Sequence, residues 1–129
     1  MALSCLIVDD NLDYGLAARI LLEDDGIVVV GIATSSDGAV RHVEDLQPDV
    51  ALLDINLGDE SGFDVARRLA GMAHLAHPPS MIFISTVDGD QFAELIEASP
   101  AVGFIPKARL SAHAIHAMLA DDGESTASG

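Results

Sequence analysis

The chain has 129 residues, half of them hydrophobic, with 21 acidic against 6 basic side chains and a formal charge of −15. That length suits one domain that buries its own core without metal or disulfide staples. The charge repels phosphate backbones, which argues against direct nucleic-acid binding, and no apolar run is long enough to cross a bilayer.

In chain order, Leu6-Ile7-Val8 reads as a buried strand whose end carries Asp9 and Asp10. Cys5 lies in the same apolar run and, as the single cysteine, cannot form an internal disulfide; it reads as a core side chain. With no basic start of a signal peptide, the expected location is the cytoplasm. The next helix has Leu12, Leu16, Ile20 and Leu21 as its expected core face and stops at Glu23-Asp24-Asp25-Gly26, where Gly26 can take the left-handed closing conformation. Gly15 weakens this helix without forbidding it.

Ile27 to Ala33 is a β-branched second strand, and Ser35 or Ser36 caps a helix carrying Val40, Val43 and Leu46 that ends before Pro48. The third strand, Val50 to Leu53, delivers Asp54 to a loop, Asn56 to Glu60. Ser61 with Asp64 forms an approximate capping box for a helix bearing Val65, Ala66, Leu69 and Met72. After a loop from His74 to Pro79, Met81 to Ile84 delivers Ser85 and Thr86. A shorter helix starts around Asp88 to Asp90, uses Phe92, Leu95 and Ile96, and ends at Ser99-Pro100. The fifth strand, Val102 to Ile105, delivers Lys107, and the last helix begins after Ser111 with Ile115, Met118 and Leu119 as its apolar side. Residues 1–120 form the domain, and 121–129, rich in Asp, Ser and Gly, read as a disordered tail or linker stub. Five continuous apolar strands alternating with five helices predict an α/β fold with a doubly wound, five-stranded parallel sheet.

In such a sheet the strand ends share one edge, and ligands bind where strand order reverses. Asp9, Asp10 and Asp54 would converge there, each pair costing about 4 kcal/mol at about 4 Å and an effective dielectric near 20. A cluster of that kind needs a cation or a raised pKa. A few hard oxygens that leave room for water and a phosphoryl oxygen suit Mg²⁺ better than an enclosed Ca²⁺ site. Asp54, alone at its strand tip, is the candidate nucleophile able to form an acyl phosphate. Lys107 supplies positive charge for the transferred group and Ser85 a hydroxyl. Any one of these residues alone reads better as an ordinary loop or strand-end residue; together, each after its own strand, they do not.

From Leu3 to about Leu119 the chain resembles the receiver domain of two-component response regulators. The resemblance rests on Asp9-Asp10, Asp54-Ile55-Asn56-Leu57 with Ser61-Gly62, Ser85-Thr86, and Gly103-Phe104-Ile105-Pro106-Lys107. It implies a (βα)5 flavodoxin-like, chemotaxis-regulator-like fold with strand order 2-1-3-4-5. It also implies that Asp54 accepts a phosphoryl group from a histidine kinase, a phosphotransfer protein or a small acyl phosphate. Mg²⁺ would be held by Asp9, Asp10, Asp54 and the backbone carbonyl of Asn56, with Ser85 and Lys107 contacting the phosphoryl group. The implied activity is limited to phosphorylation of the domain itself and loss of that group. Output would follow from inward movement of Ser85 and a rotamer change of Phe104, altering the face of the fourth helix, fifth strand and fifth helix. The bland reading of Phe104 is a core aromatic.

The chain departs from the family's pattern at two places. Gly58 stands where the family often has proline, which would loosen the loop after Asp54, and Ala108 stands where many members have a cis proline after the lysine. Pro106-Lys107-Ala108 resembles receivers of regulators with a helix-turn-helix domain. The partner downstream is then either a protein target or a DNA-binding domain outside this chain.

Two alternatives compete. A degenerate receiver would act as an interaction module without phosphorylation, but would have lost an acidic or lysine position. A phosphatase of the haloacid dehalogenase type would place a second Asp where Asn11 stands. The pairs His74/His77 and His113/His116 read as surface histidines, and Asp59-Glu60 as a solvated acidic pair.

Overall fold

The computed structural model describes residues 2–72, 78–87 and 89–128. Strand β1 (Ser4–Val8) is followed by α1 (Leu12–Asp24), β2 (Val28–Ala33), α2 (Ser36–Leu46) and β3 (Val50–Asp54). A small hairpin, β4 (Asn56–Leu57) and β5 (Glu60–Ser61), precedes α3 (Gly62–Ala70). Then come β6 (Ser80–Ser85), a 3₁₀ turn (Gly89–Phe92), α4 (Ala93–Ala98), β7 (Gly103–Pro106), a second 3₁₀ turn (Lys107–Arg109) and α5 (Ala112–Ser128). The main sheet is parallel with order β2-β1-β3-β6-β7, the predicted order once the hairpin is counted.

Strand side chains alternate between two cores. Cys5, Ile7, Leu52, Ile82 and Ile84 face α1 and α5, where they meet Leu22 and Ile115. Leu6, Val8, Leu53 and Phe83 face the opposite layer, meeting Val43 of α2 and Val65 and Leu69 of α3. Because both faces are covered, the central strands read as unbroken apolar runs. Burial also pushes the Cys5 thiol up to about 12, so it is an inert core group.

Helix α1 presents a different face from the one predicted. Gly15, Ala18 and Leu22 point inward, while Leu12, Leu16, Ile20 and Leu21 are exposed. The reason is a close approach: a Cβ on Gly15 would lie 3.0 Å from Ile32 of β2, so the backbone of α1 rests on the sheet at that residue. The helix then closes as predicted, with Gly26 at φ +91° and the Ile27 amide reaching back to the Leu22 carbonyl at 3.1 Å.

Other differences are smaller. Ser35 is the cap of α2, accepting from the Gly38 amide at 3.1 Å, and Leu46 is exposed rather than buried. Ser61 caps α3, but Asp64 pairs with Arg67 instead of reaching back to complete a capping box. Leu95 of α4 is exposed, while Phe92 and Ile96 are partly buried. Helix α5 continues to Ser128, through the segment read as a tail, since extending an existing helix needs no new nucleus. Asp88 and the pair His74/His77 lie outside the described residues. His113 and His116 are exposed on α5, and no metal-binding cluster among the described residues includes them.

Candidate functional site

Sheet order reverses around β1, whose neighbours are β2 and β3, and the carboxyl tips of β1 and β3 open side by side. Parallel register pairs Val8 with Leu53, which sets Asp9 beside Asp54. Both are buried, at 0% and 6% exposure, and Asp10 stands exposed at the rim. One carboxylate oxygen from each of the three lies within 4.8 Å of the others.

The two buried carboxylates are held alike. Asp9 Oδ1 accepts the amide of Asn11 at 2.8 Å, and Asp54 Oδ1 accepts the amide of Asn56 at 3.2 Å. Each side chain thus binds the backbone two residues on, which orients its second oxygen toward the shared space. Lys107, at the end of β7, fills part of that space. Its Nζ lies 2.6 Å from Asp9 Oδ2 and 3.4 Å from Asp54 Oδ2. The closer contact lacks hydrogen-bond angles, so Asp9 Oδ2 is paired by charge yet has no hydrogen-bond donor. A buried carboxylate oxygen in that condition, beside two more carboxylates, fits a site for a hard divalent cation.

Three acids against one amine leave the pocket negative. Asp54 responds with a pKa raised from 3.8 to about 6, chiefly through burial and then through Asp9, with Lys107 and the Asn56 amide pulling the other way. The native state therefore binds more protons than the unfolded chain between about pH 4 and pH 6, and stability falls as pH rises through that window. In metal-free buffer at pH 7.5, Asp54→Asn is expected to be more stable than the parent by about 2 kcal/mol. The gain should vanish toward pH 4, and denaturant titrations at the two pH values check it.

The loop after Asp54 is more ordered than the sequence predicts. It is the β4–β5 hairpin, with Gly58 at φ +58° as the first central residue of a two-residue turn. Proline cannot adopt that φ, so the glycine belongs to this turn and does not loosen it. Glu60 is not merely solvated: its Oε1 accepts the Ser36 amide at 2.9 Å, at the start of α2. Arg68 of α3 joins the same corner, 2.8 Å from both Ser36 Oγ and Asp37 Oδ1.

Ser85 ends β6, one residue past Ile84, the register partner of Asp54; it is buried, and its hydroxyl accepts from the Val87 amide at 3.2 Å. Phe104 on β7 is partly buried in the second core, and a Cβ on Gly89 would lie 2.6 Å from its ring. The ring borders an open cavity of about 340 Å³ lined also by Ala93, Ile96 and Glu97. No peptide bond among the described residues is cis, and Lys107 starts a 3₁₀ turn closed by the Leu110 amide at 3.3 Å.

Sequence reasoning missed Tyr14. Its ring centroid lies 4.4 Å from Lys107 Nζ, and its hydroxyl is pushed up to about 12 by burial and by the charges of Asp9 and Asp54. The available signal was its place one turn after Asp10, on the side of α1 that Gly15 turns inward.

A family model described as the response regulator receiver domain matches residues 5–120. The sensory transduction protein LytT of Bacillus subtilis is 34% identical over 67% of this chain and 35% of its own length. Response regulator GacA of Pseudomonas viridiflava is 30% identical over 79% of this chain and 47% of its own length. The chain thus spans half or less of these curated relatives. Among solved structures, the receiver domain of a modulated diguanylate cyclase from Desulfovibrio desulfuricans is 30% identical, with a TM-score of 0.74 over 92% of this chain and 91% of that one. A CheY-like receiver from Methanospirillum hungatei superposes over both whole chains with a TM-score of 0.75 at 21% identity. Asn11, where a dehalogenase-type phosphatase would need an acid, caps α1 by accepting the Tyr14 amide at 3.1 Å, and every acidic and lysine position a degenerate receiver would lose is present. This chain belongs to the response regulator receiver domain family.

Proposed function

We propose that this receiver stores a signal as an aspartyl phosphate on Asp54. The observation that carries the reading is the convergence of Asp9, Asp10 and Asp54 oxygens within 4.8 Å of one another, with the Lys107 ammonium against Asp9 and Asp54. An Asp54 carboxylate oxygen attacks the phosphorus of a phosphohistidine or acyl phosphate; the bond from phosphorus to the donor's nitrogen or oxygen breaks, and the donor leaves with the electron pair. Asp9, Asp10, Asp54 and the Asn56 carbonyl would hold Mg²⁺, which when bound neutralises the acids and the phosphoryl oxygens. Lys107 offsets charge on the transferred group, and Ser85 offers it a hydroxyl.

The phosphodonor is a histidine kinase or phosphotransfer protein, acting in the cytoplasm. An exposed apolar stripe, Leu12, Leu16 and Ile20, begins two residues beyond Asp10 and supports a protein donor. No helix among the described residues is long and apolar enough to cross a membrane. The output is a partner protein or an attached effector domain that reads the face of α4, β7 and α5.

Phe104 beside its cavity supports a ring that changes position when Asp54 is modified. Phe104→Ala is expected to leave modification of Asp54 intact while removing most adduct-linked amide shifts in α4 and α5. Two-dimensional NMR with Mg²⁺ and beryllofluoride measures both effects. The same experiment tests the reading itself: the parent should form an adduct and Asp54→Asn none, whereas an adduct that survives in Asp54→Asn contradicts it.

A further inference from the structure

Each buried carboxylate has one oxygen already engaged, Oδ1 of Asp9 by the Asn11 amide and Oδ1 of Asp54 by the Asn56 amide. The oxygens of this pair that carry no backbone amide are the two Oδ2 atoms, and these are the two that Lys107 contacts, at 2.6 and 3.4 Å. Cation and amine therefore compete for the same pair of atoms. Both are needed together if Asp54 is to take a phosphoryl group. Something other than the carboxylates must then keep the ammonium in the pocket.

The Tyr14 ring meets that need. Its centroid lies 4.4 Å from Nζ, inside the range of a cation–aromatic contact, and a neutral ring face does not compete for a divalent ion's oxygens. The ring is fixed from both directions. The Tyr14 amide donates to the Asn11 cap at 3.1 Å, and the neighbouring Gly15 rests against Ile32. Its body packs on the first core cluster. The hydroxyl stands 3.5 Å from the Lys107 carbonyl oxygen, at the outer limit of a hydrogen bond, so the ring carries the contact. No proline follows Lys107; Ala108 leaves its backbone to a single 3₁₀ turn closed at 3.3 Å.

We propose that Tyr14 is a positioning residue: its ring face keeps the Lys107 ammonium beside Asp54 when a divalent cation takes over the Oδ2 atoms. The inference rests on the phosphoacceptor reading above and extends it to a residue on a different element.

The test compares the full chain with Tyr14→Phe and Tyr14→Leu. The Lys107 ε-methylene shift is followed by NMR without and with Mg²⁺, and beryllofluoride adduct formation by ¹⁹F NMR. In the parent and in Tyr14→Phe, the ε-methylene should be shifted upfield by the ring in both conditions, with equal adduct affinity. Tyr14→Leu should lose the shift and weaken the adduct by about tenfold, a size that a desolvated cation–aromatic contact supports. Loss of the parent's upfield shift on adding Mg²⁺, equal adduct affinity in Tyr14→Leu, or an equal defect in Tyr14→Phe each overturns the role of the ring. Because the parent's shift is read by itself, the inference is decided even if Tyr14→Leu does not fold. If the parent forms no adduct, the phosphoacceptor reading fails, while the ε-methylene shift with Mg²⁺ still decides whether Tyr14 anchors Lys107.

Discussion

Gly62→Ala is expected to destabilise the domain by about 3 kcal/mol, at the upper end of ordinary overpacking costs, and to lower Tm by roughly 10 °C for a chain of this size. Gly62 is the first residue of α3, and a Cβ there would lie 2.2 Å from the carbonyl oxygen of Asp54 and 2.9 Å from the Cα of Ile55. Those are backbone atoms, so no rotamer change relieves the clash. The chain must move where the Gly62 amide donates to the Ile55 carbonyl at 2.7 Å, between the strand tip and the helix. The displacement falls on Asp54 itself, so the variant should also lose adduct formation out of proportion to its remaining folded fraction. Thermal unfolding followed by circular dichroism measures the first effect. A shift of only a degree or two would show that the hairpin relaxes freely.

Lys107→Met should separate two properties that most substitutions lower together. The ammonium sits 2.6 Å from Asp9 and 3.4 Å from Asp54, where it repels any cation seeking the same oxygens. Unit charges at about 4 Å interact by about 4 kcal/mol at an effective dielectric near 20. Its removal should tighten Mg²⁺ binding by about tenfold at pH 8, with proton uptake by Asp54 taking back the rest of the Coulomb gain. Phosphorylation by acetyl phosphate should fall by about a hundredfold or more, as when one preorganised group facing the transition-state charge is lost. Calorimetric Mg²⁺ titration and single-turnover phosphorylation read the two arms. A parallel loss of both would mean that Lys107 holds the pocket together rather than opposing the metal.

The strands were legible because each is a continuous apolar run ending in a polar group, and burial on both sheet faces leaves no alternation to confuse the reading. Asp9, Asp54, Ser85 and Lys107 followed from those ends. The face of α1 was not legible, since Leu12-Leu16-Ile20 and Gly15-Ala18-Leu22 both fit a helical stripe. The choice between them depends on the contact of Gly15 with Ile32, two elements that the sequence does not show touching. Tyr14 was missed for the same reason. Glu60 was read as solvated because an acid in a loop carries no local sign that an amide at the start of α2 awaits it. The two-residue strands of the β4–β5 hairpin are too short to leave a periodicity, and only Gly58 marked the turn.

The central claim is a covalent one, and the most direct measurement is chemical. The chain is incubated with Mg²⁺ and acetyl phosphate, reduced with borohydride to trap an acyl phosphate, digested and mapped by mass spectrometry. The account predicts reduction at Asp54 alone, dependent on Mg²⁺ and absent in Asp54→Asn. Trapping at Asp9 or Asp10 instead, or no trapping in folded protein, would contradict it.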